Sequence, residues 1–534
     1  MKIRLPWLLL SAIVVALMVL PLLGILSSLF KPSSDTWAHI QEHLLWLYLG
    51  ETARLLLGTL CCSIVLASAL AWVITAYDFP GRSFLSVALV LPLAIPPYIG
   101  GYTYAGLTGY TGAIQVWLRE VLNWTPPPGL FNIMNLPGAI FIFTIFLYPY
   151  IYLVIRAFLE RQANQLIEAS RMLGSSRFRT YWQVVLPLTR NAVVAGATLV
   201  AFEVLSDYGV VSYFGLQVFT TAIFKSWLGY NDVTSALRLA GILLLVVTIV
   251  TVGEKSLRGA RSHSYANSRV TPLVRVRAKG WKKLGIMILG YATLLVALII
   301  PLTQMIYWAI LSFSSIRLDG LLKSLLTSFI LALCGATLTT IFALIVANHQ
   351  RLWPTQSSKF LARITVMGYS IPSTVIALSI LSIALWVDRQ TGWGLSLTPA
   401  LVVLAYTIRY LAVSMQSVES GFEKVGTQFA QSSRMLGRGP FATLLRIDIP
   451  MMPAAVIGGF LLAFIDMVKE LPIVLILRPF NFSTLSTRVF EYANDEQIPE
   501  SSFASLIIIG LALVPLLLLV AKNRTADSAT GGSQ

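Results

Sequence analysis

The residues best suited to chemistry are two pairs of carboxylates inside apolar stretches: Glu203 with Asp207, and Asp466 with Glu470. Members of a pair are four residues apart, which on a helix places both on one face. Glu203 falls near the middle of its expected membrane span. An acid at that depth costs ~2.5–3.5 kcal/mol on insertion scales, so it should face the bundle interior, water or a cation rather than lipid. Four such groups from two helices would line a negatively charged, oxygen-rich passage, the ligand chemistry that hard cations take. They are therefore the candidate translocation path and the candidate metal ligands. The competing reading is structural, with Lys469, Arg478 or Arg409 neutralising some of the acids in packing ion pairs. Other metal chemistry has little support. Cys61, Cys62 and Cys334 sit in apolar runs, and His39, His43, His263 and His349 lack ligand spacing. No G-x-x-x-x-G-K-[ST] phosphate loop occurs, so the chain is not expected to hydrolyse ATP alone.

The two acid pairs are related by a shift of 263 residues, and that shift extends upstream. Glu168 to Pro187 reads EASRMLGSSRFRTYWQVVLP, and Gln431 to Pro450 reads QSSRMLGRGPFATLLRIDIP, with 8 of 20 positions identical. This is an internal repeat. In each copy a short helix-forming segment reaches a glycine, Gly174 or Gly437, and the chain returns to apolar sequence at Pro187 or Pro450. Two polar islands in register point to loops that something outside the membrane can grip.

The elements around these islands must be membrane helices. In 534 residues, 56% are hydrophobic and 12% charged, and apolar runs near the ~20 residues that span a bilayer recur throughout. The expected spans are 7–30, 52–77, 84–108, 137–158, 191–215, 236–253, 284–312, 325–347, 363–386, 398–418, 454–477 and 502–521. The fold class is thus an all-α polytopic membrane protein of about twelve transmembrane helices, in two parallel pseudo-symmetric six-helix halves. The expected division is a first half over 1–253, a basic linker over 254–283, a second half over 284–524 and a disordered tail over 525–534. The first run, Pro6 to Phe30, is too long for a signal-peptide core and is read as a retained span.

With both termini inside, 27 of the 39 Lys and Arg residues fall in interior segments, which places both repeated loops in the cytoplasm. The net charge of +16 is spread over these short loops and forms no single face, so it indicates membrane lipid and not nucleic acid. The third span carries Pro96-Pro97 and its counterpart Pro372, each expected to kink its helix. Tyr98, Tyr102, Tyr104 and Tyr110 read as an interfacial aromatic belt outside the site.

The repeated stretch resembles the EAA loop of binding-protein-dependent ABC importer permeases, in which the loop forms the helix that docks on the ATPase. The resemblance covers nearly the whole chain and implies the type I ABC importer permease fold in a fused, double-length form. It further implies a bacterial inner-membrane location, a periplasmic binding protein outside and two ATPase subunits inside. ATP and magnesium would belong to those subunits, with no cofactor on this chain. Leu205 to Gly215 (LSDYGVVSYFG) and Lys469 to Tyr492 (KELPIVLILRPFNFSTLSTRVFEY) look similar to ferric-iron importer permeases in particular, which makes iron(III) the expected cargo. Carried onto this sequence, Glu168, Ala169, Ser170 and Gly174, with Gln431, Ser432, Ser433 and Gly437, would lie at the ATPase contact, and Pro187 and Pro450 would close the two segments.

Thiamine, polyamine, sulfate and molybdate permeases are alternatives within that class, and the acid pairs argue against the anions. A proton-coupled carrier is the alternative outside it, although such a carrier has no need of paired cytoplasmic loops. In the second copy Gln431 replaces the leading acid, Glu168. A charge-assisted bond to a partner arginine, worth ~1.5–3 kcal/mol, would then survive only in the first copy. Glu168→Ala should therefore impair transport-coupled ATP hydrolysis more than Gln431→Ala; equal effects in the reconstituted transporter would refute this.

Overall fold

The computed structural model describes residues 4–127, 129–162, 170, 172, 174, 177–180, 183, 185–258, 275–315 and 318–531. Among these the long helices are α1 (Arg4–Leu29), α2 (Leu45–Ala76), α3 (Arg82–Ala88), α4 (Pro97–Thr108), α5 (Leu136–Gln162), α6 (Leu186–Ser206) and α7 (Val233–Arg258). After them come α8 (Gly280–Leu311), α9 (Leu318–Leu352), α10 (Gln356–Met367), α11 (Ser373–Thr391) and α12 (Ala400–Val425). The repeated segment contributes α13 (Gln428–Met435), and α14 (Pro453–Val468) and α15 (Ile498–Gly531) complete the chain. Strand is confined, among the described residues, to β1 (Tyr77–Asp78) and β2 (Val276–Arg277), paired in parallel. Among the described residues nine helices are long and apolar enough to cross a membrane, or twelve when three bent pairs each count as one crossing.

Two of those bends lie in the third and ninth spans, at the prolines expected to kink them. Arg82–Ala94 meets Pro97–Val121 at 92°, and Gln356–Ser370 meets Ser373–Thr391 at 107°. Both breaks fall at prolines, Pro96-Pro97 and Pro372, whose rings exclude the helical hydrogen bond and push the preceding residue out of the helical region. The expected spans 191–215 and 454–477 are shorter, since α6 stops at Ser206 and α14 at Val468. At the C-terminus α15 runs on to Gly531 where a disordered tail was expected. No proline or glycine interrupts Thr525–Thr530.

Packing repeats between the halves. In the first, α2, α5 and α6 pack on one another, and in the second α9, α12 and α14 do the same. The halves also interlock, because α1 packs on α9, α10 and α11 of the second half as well as on α7, while α8 packs on α3 and α4 of the first. Six crossings separate the two repeated segments when the bent pairs are counted as spans, so both lie at the same end of the bundle.

One polar tie stands outside the spans. Asp232, just ahead of α7, accepts hydrogen bonds from the hydroxyls of Ser34 (2.5 Å) and Ser235 (2.6 Å) and from the N–H groups of Thr234 and Ser235, both 3.0 Å. Burial alone would push this carboxyl up, but the four donors outweigh it and hold the group below its ordinary 3.8. With the folded pKa depressed, the unfolded chain binds the proton more readily. The stabilisation is complete above 3.8 and disappears as pH falls through the folded value. Asp232→Asn should lower the thermal unfolding midpoint at neutral pH, with the gap to wild type closing in acid below the carboxyl's range. A gap that persists there would contradict this assignment.

Candidate functional site: a charged cavity between the halves

The proline breaks set the geometry of the site. A bend inside an apolar bundle leaves backbone carbonyls without their helical partners, and each must find another donor. In the second half Arg409 of α12 supplies it. Its Nη1 donates to the carbonyls of Tyr369 (2.6 Å) and Ile371 (2.5 Å), and its Nη2 donates across the seam to Ser206 Oγ at 3.0 Å. Arg409 is 2% exposed. In the first half groups on α5 serve the corresponding break: Tyr148 Oη donates to the Leu89 carbonyl (2.8 Å), and both Tyr152 Oη (3.3 Å) and Arg156 Nη1 donate to that of Ser86. Each half therefore brings an arginine to its bend, fully buried as Arg409 in the second and partly exposed as Arg156 in the first.

Glu203, Asp207, Asp466 and Glu470 all line one cavity of about 70 Å³, together with Arg409 and Lys469. At ~10–15 Å³ for each water, that is room for about five. The expectation that each acid pair shares a helical face is overturned. Glu203 lies in the last turn of α6, not at mid-span, and Asp207 is extended beyond the helix end. The reason is local: Asp207 Oδ1 accepts the Val210 N–H (2.8 Å), capping the short helix Gly209–Tyr213 and thereby ending α6. Glu470 plays the same part in the second half, accepting the Ile473 N–H at 3.4 Å ahead of the short helix Pro472–Leu477. The two halves reach matching positions through a cap on each side, not through helical spacing.

The partners of these acids differ by half. Lys469 Nζ is 2.8 Å from Asp466 Oδ1, so the neutralising reading holds for that pair. Glu470 accepts a short hydrogen bond from Tyr410 Oη. Arg478, the other suggested neutraliser, instead pairs with Glu491 at 2.6 Å. Glu203 accepts a hydrogen bond from Tyr369 Oη (2.9 Å), and Tyr98 Oη donates to the Lys469 carbonyl (3.5 Å). Both bonds, like Arg409 to Ser206, cross from one half to the other. Among the described residues no three His, Cys, Asp or Glu side chains are placed to hold one metal ion. The four carboxylates line a common space without converging on a point within it.

Tyr98 corrects a further expectation. It lines the cavity and is 4% exposed, and Tyr102 and Tyr104 are also buried; only Tyr110, at 70%, fits an interfacial belt. The proline pair directly ahead of Tyr98 is the sequence signal that could have placed it in the site.

The repeated segments reproduce one another in detail where both are described. Ser170 Oγ lies 3.3 Å from Thr180 Oγ1, and Ser433 Oγ lies 2.8 Å from Thr443 Oγ1, each pair ten residues apart and related by the same shift. Gly174 and Gly437 take φ of +81° and +78°, the left-handed region open to glycine. Ser170 and Ser433 are buried, so these two brace the loop internally and do not form the expected contact surface. Gln431, Ser432 and Gly437 are exposed, whereas Glu168 and Ala169 lie outside the described residues. Pro187 falls in the first turn of α6 and Pro450 in the short helix Ile449–Met451, as anticipated. Sequence reasoning passed over Met172 and Met435, equivalent by the same shift and 88% and 90% exposed. An apolar side chain bared at the same point of both copies marks a surface that a partner would cover.

The family described as binding-protein-dependent transport system inner membrane component matches residues 63–254 and 339–522. The chain belongs to this family. The match falls once on each half, so this is a double-length permease of the type I fold, multi-pass in the inner membrane and a transport subunit rather than an enzyme. The permease is 27% identical over 477 residues to the Fe(3+)-transport system permease protein FbpB 2 of Haemophilus influenzae, covering 88% of this chain and 89% of that one. It is 21% identical over 456 residues to the ferric transport system permease protein FbpB of Actinobacillus pleuropneumoniae, covering 81% and 64%. It is also 28% identical over 170 residues to the sulfate transport system permease protein CysW of Escherichia coli K12, covering 32% and 55%.

Arg409 is the group on which the permease's cavity depends. Arg409→Leu strips the donor from two buried carbonyls and should cost about 3 kcal/mol or more, with Arg409→Lys recovering part of the loss. Thermal unfolding of the purified permease measures this, and a midpoint unchanged in Arg409→Leu would contradict it.

Proposed function

We propose that this permease passes ferric ions, released by a periplasmic binding protein, through the cavity between its halves. ATP hydrolysis is supplied by two ATPase subunits seated on the repeated segments. In this reading 1–253 and 284–524 are the two working halves, 254–283 joins them on the cytoplasmic side, and both termini are cytoplasmic. The observation that carries the reading is that both carboxylate pairs line one common cavity, where four acids face two cations.

The lack of a converged ligand set suits transit. A trivalent ion held by three or more carboxylates would leave too slowly, whereas dispersed acids attract it without chelating it. The bonds from Tyr369 to Glu203, from Tyr98 to Lys469 and from Arg409 to Ser206 tie the halves together across the cavity, and alternating access requires them to part. Relatives named for iron align with both halves, which supports the same cargo.

Sulfate is the second reading, favoured by the sulfate permease relative and by Arg409 and Lys469 in the lining. Both cations already have partners, however. Lys469 is paired with Asp466, and the two Nη atoms of Arg409 donate to backbone carbonyls and Ser206, which leaves only its buried Nε unpartnered. Uptake by proteoliposomes carrying the permease, its ATPase and its binding protein separates the two cargoes. Iron(III) should enter with ATP and sulfate should not. Glu203→Gln combined with Asp466→Asn should slow iron entry at least about tenfold, the equivalent of ~1.4 kcal/mol in a barrier, while ATPase assembly is retained. Unchanged iron entry would demote these acids to packing groups, and ATP-driven sulfate entry would replace the cargo.

A further inference from the structure

The two repeated segments are alike in themselves but are anchored differently. Thr52 Oγ1 accepts the Phe219 N–H (3.2 Å) in the first half, and Ser328 Oγ accepts the Leu485 N–H (2.8 Å) in the second. That pairing sets α2 against α9 with a shift of 276, and the same shift carries Ala76, the last residue of α2, onto Leu352, the last of α9. In this register Thr75 corresponds to Arg351. The repeat's own shift of 263 makes Val185 the counterpart of Asp448.

Arg351 holds both ends of the second segment. Its Nη2 is 2.6 Å from Asp448 Oδ2 and its Nη1 3.1 Å from Oδ1, and Nη1 also donates to the Gly426 carbonyl at 3.4 Å. Gly426 lies just ahead of α13, and Asp448 lies between α13 and the return to α14. Further contacts fix the guanidinium in place: Nη2 donates to Asn348 Oδ1 (3.1 Å), and the group sits 4.2 Å over the Phe422 ring. The Arg351 side chain is 9% exposed and that of Asp448 1%. From α13 itself, Arg434 lies 5.3 Å over Trp353, just beyond the end of α9.

At the described matching positions of the first half, Thr75 stands for Arg351 and Val185 for Asp448. Thr75 Oγ1 donates back to the Ala71 carbonyl of its own helix (2.8 Å), and Val185 is a buried apolar residue. The end of α2 is engaged elsewhere, through β1 pairing with β2 and the Ala278 N–H donating to the Asp78 carbonyl at 2.9 Å. It is thus tied to the segment that leads into α8.

We propose that Arg351 is a positioning residue for coupling. By clamping Gly426 and Asp448 it makes α13 and α9 move as one body, so that in the second half an ATPase displacement is transmitted through two helices. This rests on the reading of the chain as an ATP-driven permease. The clamp takes over a task the second copy performs less well by charge, since Gln431 stands there in place of an acid. A buried Arg–Asp pair suits a rigid joint because neither charge can be released singly into an apolar setting, and Arg, unlike Lys, reaches two acceptors at fixed angles. Because α9 packs on α14, which carries Asp466, motion of the joint reaches an element that lines the cavity.

The test uses the full transporter in proteoliposomes, with ATPase subunits and binding protein, and reads three quantities: ATPase retained on the permease, ATP hydrolysed, and solute imported per ATP. Arg351→Gln and Asp448→Asn should retain the ATPase and hydrolyse ATP, but import per ATP should fall about fivefold or more, the lower range of coupling between linked sites. The exchange Arg351→Asp with Asp448→Arg should restore part of that ratio. A ratio equal to wild type in the single variants would overturn the proposal and leave the pair a structural ion pair. If the single variants fail to assemble, Arg351→Lys decides, since it keeps the charge but cannot grip both acceptors: a lowered ratio supports the clamp and an unchanged one refutes it. Wild-type import that proceeds without the ATPase would remove the underlying reading, whereas ATPase-dependent import with unchanged variants removes the clamp alone.

Discussion

The structure turns on the need to satisfy backbone carbonyls where prolines break helices inside an apolar bundle. The breaks at Pro96-Pro97 and Pro372 bend two crossings by roughly a right angle, and water cannot supply the missing donors there as it would at a surface. The first half meets the need with tyrosine hydroxyls and the partly exposed Arg156, and the second with the buried guanidinium of Arg409. A buried cation calls for acids nearby, and acids that line a common space make it attractive to a positive solute. The charge pattern of the cavity is in this sense a consequence of how one kink is held.

The same logic of like frames with unlike fastenings recurs at the end of the bundle that carries the repeated segments. Ser170 with Thr180 and Ser433 with Thr443 brace the two loops in the same way, and Met172 and Met435 are bared at the same point. The second loop is gripped by a buried ion pair from a neighbouring helix, whereas Val185 stands in the first at the position of its acid. A duplicated chain keeps the shape that a symmetric partner requires and is free to vary how each copy is held.

The repeat itself was legible, since polar islands at a constant shift survive in sequence whatever the tertiary packing does. So was the identity of the four lining acids, because a carboxylate in an apolar run demands an explanation. The way those acids reach the cavity was not legible. Asp207 ends α6 by capping the next helix, a choice between two local hydrogen-bond patterns that a spacing of four residues cannot reveal. Arg409 could be named as a possible neutraliser, but its partners are carbonyls 38 and 40 residues away in sequence. Tyr98 was misassigned because an aromatic belt and a cavity wall have the same composition. The crossing of α1 onto the second half depends on long-range packing that hydropathy does not encode.

The central claim is that the cavity between the halves is the route and that its walls must separate for transport. Its most direct test places cysteines at Tyr98 and Lys469, one on each side of the seam, in a chain whose Cys61, Cys62 and Cys334 are replaced by serine. A short bis-methanethiosulfonate then bridges them through two disulfides, each cysteine thiolate displacing methanesulfinate, and ATP-driven uptake is followed before bridging, after bridging and after reduction. The account predicts uptake that stops when the bridge forms and returns when it is reduced, at unchanged ATPase binding. Full-rate uptake by the bridged protein would contradict it.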